Sequence, residues 1–177
     1  MIKIEDLSFE LFIPEEKLLK RVKELAAAIN QDYYGKSPIL LAVLNGSFMF
    51  MSDICKEINL EAEITFVKLA SYSGTKSTGN VNNLLGIGQS LKDREVIVIE
   101  DIIDTGKSMR HLLDLIRPEK PASVHIASLL VKPDALQEEI DIRYRGFDIP
   151  DLFVVGYGLD YCGKGRNLRQ LYQKTEK

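Results

Sequence analysis

The chain has 177 residues, 45% apolar and 28% charged, enough to bury one real core and ordinary for a globular protein. Its 23 basic and 26 acidic side chains give a net charge of -3, so no broad basic face is offered to nucleic acid. No apolar run approaches the ~20 residues of a membrane helix, and MIKIEDLSFELFIPEE lacks the basic head and long apolar stretch of a secretory signal, so a cytoplasmic protein without membrane contact is expected.

After Pro14, the residues Leu18, Leu19, Val22, Leu25, Ala26 and Ile29 recur at helical spacing and predict a helix with one apolar face. Pro14 suits its first turn, where a missing N–H is no loss. Ser37-Pro38 breaks the chain, and ILLAVL at 39–44 is a continuous apolar run typical of a buried parallel strand. Asn45-Gly46-Ser47 then turns into FMFMSDICKEI, a predicted helix. EITFVKLA at 63–70 and EVIVIE at 95–100 read as strands, and a helix from about Lys107 to Ile116 stops at Arg117-Pro118. Strands follow at SVHIASLLV, 123–131, and DLFVVGYGL, 151–159. There is no internal repeat, low-complexity tract or linker. Strand and helix alternating in this way predict an α/β fold, a parallel twisted sheet with helices on both faces. Cys55 and Cys162 form no C-x-x-C and read as reduced thiols, while His111 and His125 are too few for a histidine-rich metal site.

Such sheets bind ligands beyond the carboxyl ends of their strands. The unusual residues collect there: Asn45-Gly46-Ser47, Ser71 to Gly74, Glu100 to Ser108, Lys132 and Asp160. The segment SYSGTKSTGNVNN, 71–83, is too rich in Gly, Ser, Thr and Asn for a core element; it is either a disordered connection or a lid.

VIVIEDIIDTGKS at 96–108 is the most informative stretch. Its Gly-Lys-Ser resembles the tail of an ATP-binding loop, G-x-x-x-x-G-K-S/T, but the first glycine of that pattern falls on Asp101, so the glycine-rich cradle is missing. Asp104-Thr105-Gly106-Lys107-Ser108 still lies between a strand and a helix. There, backbone N–H groups, two hydroxyls and a glycine's close approach suit one terminal phosphate monoester. Carboxylates beside such a site repel the anion unless they serve other groups. Glu100 and Asp101 therefore suggest ribose hydroxyls or Mg²⁺, with Asp104 over the reactive carbon of a ribose 5-phosphate. Helix capping explains one of these acids, but not three after a buried strand.

This stretch resembles the phosphoribosyl pyrophosphate motif of the type I phosphoribosyltransferases. LNGSFMF at 44–50, KLASYSGTKSTG at 68–79, SLLVKP at 128–133 and FVVGYGLDY at 153–161 are similar to those of the 6-oxopurine branch, the hypoxanthine-guanine phosphoribosyltransferases, in the family's order. The resemblance implies one domain over 1–177 of the type I fold, with a small hood from about 1–13 and 150–177. It implies transfer of the phosphoribosyl group from phosphoribosyl pyrophosphate to N9 of hypoxanthine or guanine, with Mg²⁺, in a homodimer or homotetramer. By the same resemblance Asp104 is the general acid or base facing N7. Glu100, Asp101 and the 104–108 residues bind phosphoribosyl, Glu100 and Asp101 also serving the metal. Lys132 donates to the 6-oxo group, Phe153 stacks on the base, Ile102 forms the opposite wall and the backbone of Val154 reads the purine edge. Asp160 is a magnesium ligand at the purine pocket, and Asn45, Gly46, Ser47 and Arg166 contact pyrophosphate. The loop at 45–47 is where the family often has a non-proline cis peptide, and Ser71 and Tyr72 belong to the mobile loop.

The chain departs from the pattern at Asn45, where some relatives carry Lys, at Gly165, where an aromatic is common, and at Cys162, which replaces a polar residue. Lys164 is therefore an alternative to Arg166. Three rivals remain. A non-catalytic regulator of the same fold that binds RNA or nucleotide should show a basic face and tolerate loss of Asp104. A pyrimidine or adenine transferase sits poorly with Lys132 and FVVGYGLD. A Mg²⁺-dependent phosphatase lacks a nucleophile motif at the strand end.

Overall fold

The computed structural model describes residues 1–69 and 86–175; the 71–83 segment, with Ser71 and Tyr72, lies outside them. In chain order the elements are β1 (Ile2–Ile4), β2 (Leu7–Ile13), α1 (Glu15–Asp32), β3 (Ile39–Leu44), α2 (Phe48–Glu57), β4 (Glu63–Lys68), β5 (Glu95–Ile103), α3 (Lys107–Ile116), β6 (Ser123–Val131), β7 (Tyr144–Asp148), β8 (Val154–Val155) and β9 (Leu171–Lys174). One sheet has the order β4-β3-β5-β6-β7, and every pair in it is parallel. The other, β1-β2-β9-β8, is antiparallel and is drawn from both ends of the chain.

The central strands β3 and β5 are buried on both faces, which is why ILLAVL and VIVI read as apolar runs, whereas the edge strands β4 and β7 are partly exposed. Alternate residues divide between two cores. Leu40, Ala42, Ile97 and Ile99 meet the apolar stripe of α1 (Leu18, Val22, Leu25, Ala26, Ile29) and Phe50, Met51 and Ile54 of α2. Ile39, Leu41, Val96 and Val98 face Met109, Leu112 and Ile116 of α3. Helices thus cover both faces, as the alternation predicts. Pro14 stands one residue before α1, as its N-cap, with extended backbone.

Strand order places the switch point between β3 and β5. The chain leaves β3 by α2 on one face and leaves β5 by α3 on the other, so their outgoing turns diverge and open a crevice. The β3–β5 ladder ends at Ala42–Ile99, whereas β5 continues beside β6 to Ile103–Val131. Asp101 therefore lies inside a strand, not beyond its end as the 95–100 prediction has it, and Glu100 is an interior residue rather than the last one.

Two further differences have physical reasons. The predicted strand 151–159 shrinks to Val154–Val155 and joins the antiparallel sheet, because Gly156, Tyr157 and Gly158 all take positive φ and turn the chain. The edge strand β7, Tyr144–Asp148, was not predicted. Arg21 of α1 secures it by donating to the carbonyls of Gly146 (3.0 Å) and Arg145 (2.7 Å). Cys55 is half-buried, Cys162 is exposed, and both are free thiols. Among the described residues no helix is long and apolar enough to cross a membrane.

The antiparallel sheet has a small core of its own, Ile4, Phe9 and Val155, with Phe9 fully buried and its ring centroid 6.2 Å from that of Phe153. Phe9→Ala is expected to cost about 3–5 kcal/mol in denaturant unfolding, whereas Leu11→Ala, on an exposed side of the same strand, should stay within about 0.5 kcal/mol.

Candidate active site

The crevice is closed at its base by two close approaches. A Cβ on Gly46 would come within 1.5 Å of Asp101 Oδ2, and a Cβ on Gly158 within 1.9 Å of the Gly46 carbonyl oxygen. The turn after β3, the end of β5 and the turn after β8 are therefore stacked in contact, and glycine is the residue that fits at both points. The Leu44–Asn45 peptide is cis. Ser47 is fully buried, its hydroxyl donating to the Val43 carbonyl at 2.6 Å, which holds the turn against the strand it leaves.

On the β5 side, Glu100 and Asp101 are nearly inaccessible, at 8% and 9%. Burial pushes both carboxyls above their ordinary range, Glu100 furthest because the charge of Asp101 lies beside it. Asp101 is partly restrained by contact with Glu100, by the backbone N–H of Ile102, 2.9 Å from Oδ1, and by the charge of Arg166. Arg166 itself donates to the Gly158 carbonyl (2.7 Å) and pairs with Asp160 Oδ1 (2.6 Å), while Asp160 Oδ2 accepts the Gly163 N–H at 2.8 Å. Lys164 is committed to Glu5. The basic group joined to the crevice floor is thus Arg166.

The strand-to-helix turn forms a cavity of about 90 Å³ lined by Glu100, Ile102, Asp104, Thr105, Gly106 and Ser108, among others. Gly106 is the N-cap of α3 with φ 83°; among the described residues the start of the helix has only a long side-chain contact, Lys107 N–H to Thr105 Oγ1 at 3.5 Å, so its first N–H groups can turn to an anion. The loop at 136–140 braces this turn from behind: Gln137 N–H donates to the Thr105 carbonyl at 3.0 Å, and a Cβ on Gly106 would meet Ile140 Cδ1 at 2.8 Å.

Lys132, directly after β6, is buried yet charged. Its ammonium lies 2.8 Å from Asp104 Oδ2 and 2.9 Å from Asp151 Oδ1. Burial works against that charge, and the two carboxylates overcome it, holding Lys132 above the ordinary lysine range. Asp151 is the residue that sequence reasoning missed. Close to it in the chain, Phe153 is 45% exposed, with its ring supported by Phe9 and by Tyr161, edge-on at 5.8 Å. Val154 is buried in β8, and Ile102 is half-buried. The crevice thus combines an anion-binding helix start, a buried acid pair, an ammonium flanked by acids, and an aromatic ring with an open side.

The profile of the phosphoribosyl transferase domain matches residues 14–162. A hypoxanthine-guanine phosphoribosyltransferase of Staphylococcus aureus is 41% identical over 160 residues, covering 90% of this chain and 89% of the relative. Among solved structures, a Bacillus anthracis hypoxanthine-guanine phosphoribosyltransferase superposes with a TM-score of 0.87 at 38% identity, covering 95% of this chain and 99% of the other. The Trypanosoma cruzi hypoxanthine phosphoribosyltransferase in complex with the product IMP gives 0.85 at 32% identity, covering 98% and 97%. The switch-point crevice, the acid pair before an uncapped helix and a match spanning most of the chain lead to one conclusion: this protein belongs to the phosphoribosyl transferase family.

Proposed function

We propose that the chain is a purine salvage enzyme, transferring the phosphoribosyl group from phosphoribosyl pyrophosphate to N9 of hypoxanthine or guanine. The products are IMP or GMP and pyrophosphate. The observation that carries this reading is the 2.8 Å contact between Lys132 and Asp104, a residue that lines the small cavity at the start of α3, which joins a base-reading donor to a proton acceptor.

The 5-phosphate takes the N–H groups at the start of α3 with the hydroxyls of Thr105 and Ser108 and the charge of Lys107. The ribose lies over Glu100 and Asp101. Pyrophosphate leaves toward Asn45, Gly46, Ser47 and Arg166, where a cationic side chain balances the departing charge. The purine stacks on Phe153 opposite Ile102, with its 6-oxo group on the Lys132 ammonium and its edge along the backbone at Val154. As the bond between C1′ and the pyrophosphate oxygen breaks and the C1′–N9 bond forms, the proton at N7 passes to the Asp104 carboxylate. Adenine presents an amino group to Lys132, leaving donor against donor.

The acid pair fits Mg²⁺. Two buried carboxyls raised by burial gain from a cation, and Mg²⁺ takes one or two carboxylates and completes its shell with substrate oxygens and water. Among the described residues no group of three His, Cys, Asp or Glu side chains could hold a metal without such help, which suits an ion arriving with phosphoribosyl pyrophosphate. Glu100, Asp101 and Asp160 are the residues to hold it, Asp160 by exchanging its pairing with Arg166. Bound there, the ion would neutralise charge on the pyrophosphate. In this reading the small sheet from both chain ends forms the hood over the base, the protein is cytoplasmic, and it works as a homodimer or homotetramer.

Three outcomes test these roles. Asp104→Asn should lower kcat for IMP formation by roughly 10²–10⁴ while phosphoribosyl pyrophosphate affinity changes little; equal losses in both would remove Asp104 from proton transfer. Lys132→Ala should raise the purine KM and erode discrimination against adenine, and unchanged base choice would take Lys132 out of the pocket. Glu100 ionises at higher pH in the folded protein than in the unfolded chain, so it lowers stability once pH rises through the ordinary carboxylate range. Glu100→Gln should therefore melt level with wild type near about pH 4 and above it at neutral pH; a gap that closes with rising pH would contradict this electrostatic reading.

A further inference from the structure

Lys132 raises a difficulty that the transfer reaction itself creates. Its side chain is only 8% exposed, so its charge depends on counter-charges supplied by the protein. In the resting site Asp104 supplies one of them, at 2.8 Å. Once a purine enters, Asp104 has to turn to N7, and the oxygen that replaces it at Lys132 is a neutral carbonyl. Without a second carboxylate the ammonium would face the base with no formal counter-charge. Asp104 would then be drawn between the lysine and the proton it must accept.

The structure supplies that second carboxylate. Asp151 Oδ1 lies 2.9 Å from Lys132 Nζ, on a segment distant from Asp104 in sequence. Its side chain is 70% exposed and remains hydrated while it faces a lysine that water barely reaches. The backbone places it as well. Leu152 N–H donates to the Pro150 carbonyl at 2.8 Å, a tight turn centred on Asp151. Ile149 N–H donates to the Val131 carbonyl at 2.8 Å, beside Lys132, and Lys132 N–H donates to the Ile103 carbonyl at 3.0 Å, beside Asp104. All three residues are thus placed at the ends of neighbouring strands by main-chain bonds. An ammonium has three donors; two point at carboxylates, and among the described residues the third meets no further acceptor, so it can serve a 6-oxo oxygen.

We propose that Asp151 is a positioning residue for base recognition: it keeps the Lys132 ammonium oriented and balanced when Asp104 leaves it for the purine, so that one lysine reads the 6-oxo group without holding back the catalytic acid. This rests on the transfer reaction above and on Lys132 meeting the 6-oxo group.

Initial rates with hypoxanthine and phosphoribosyl pyrophosphate, with magnesium, test it in Asp151→Asn, Asp151→Glu, Lys132→Ala and the Lys132→Ala/Asp151→Asn double variant. Asp151→Asn should raise the hypoxanthine KM by roughly three- to tenfold, between the effect of an exposed ion pair and that of a buried charged hydrogen bond. The phosphoribosyl pyrophosphate KM and the melting temperature should stay at wild-type values. Asp151→Glu should recover most of the loss, and Asp151→Asn should add nothing in the Lys132→Ala background, because it acts through the lysine. A hypoxanthine KM unchanged by Asp151→Asn, while Lys132→Ala alters it, overturns the positioning role and leaves the pocket reading standing. Full additivity of the two substitutions, or a joint fall in both affinities and in melting temperature, also overturns it. If Lys132→Ala itself leaves hypoxanthine KM and base choice unchanged, the pocket reading fails and the proposal falls with it.

Discussion

The parting of β3 from β5 after the Ala42–Ile99 pair is the constraint on which the rest of the site depends. Up to that pair the two strands are zipped and apolar on both faces. Beyond it β5 runs on beside β6 alone, and the side chains it carries into the gap are Glu100 and Asp101. A gap between strands that hydrocarbon does not fill is where a polar ligand can reach the centre of a sheet. Gly46 and Gly158 close its floor, the first by bringing the turn after β3 against Asp101 and the second by bringing the turn after β8 against Gly46. Any side chain at those positions would hold the crevice open or push the acid aside.

Two charged assemblies flank this gap, and they face opposite problems. The acid pair is buried with too little positive charge, so both carboxyls rise, and a cation or a ribose diol would relieve them. Lys132 is buried with an ample supply of negative charge, so its ammonium is secure and can be lent to a neutral carbonyl. Under the proposed function, a site that is electrostatically unfavourable where the sugar and metal would lie, and over-provided where the base would lie, trades stability for binding, as functional sites commonly do. Arg166 tempers the first of these, since it steadies Asp101 by its charge while paired to Asp160.

Legibility in the sequence followed burial. The runs at 39–44 and 96–99 were readable because strands buried on both faces must be apolar throughout. The end of β5 was not, because a carboxylate at position 101 looks like a stop signal and only the register with β6 shows that the ladder continues. The edge strand β7, YRGFD, carries polar residues and is secured by Arg21 from a helix far away in the chain, which no local pattern reports. The run FVVGYGL read as one strand, since its apolar content is high, yet three consecutive positive φ values from Gly156 turn it. In the site, the acidic motif was legible because its residue types conflict with their position after an apolar strand. Asp151 was not: an exposed aspartate in a loop is unremarkable until its carboxylate is found 2.9 Å from a buried ammonium.

The most direct measurement of the central claim is the initial rate of nucleotide formation with phosphoribosyl pyrophosphate and magnesium, offering hypoxanthine, guanine and adenine separately. A crevice that reads a 6-oxo group with Lys132 and accepts a proton at Asp104 should turn over hypoxanthine or guanine and leave adenine untouched. Folded protein that converts none of the three, or converts adenine as readily as hypoxanthine, would contradict the account.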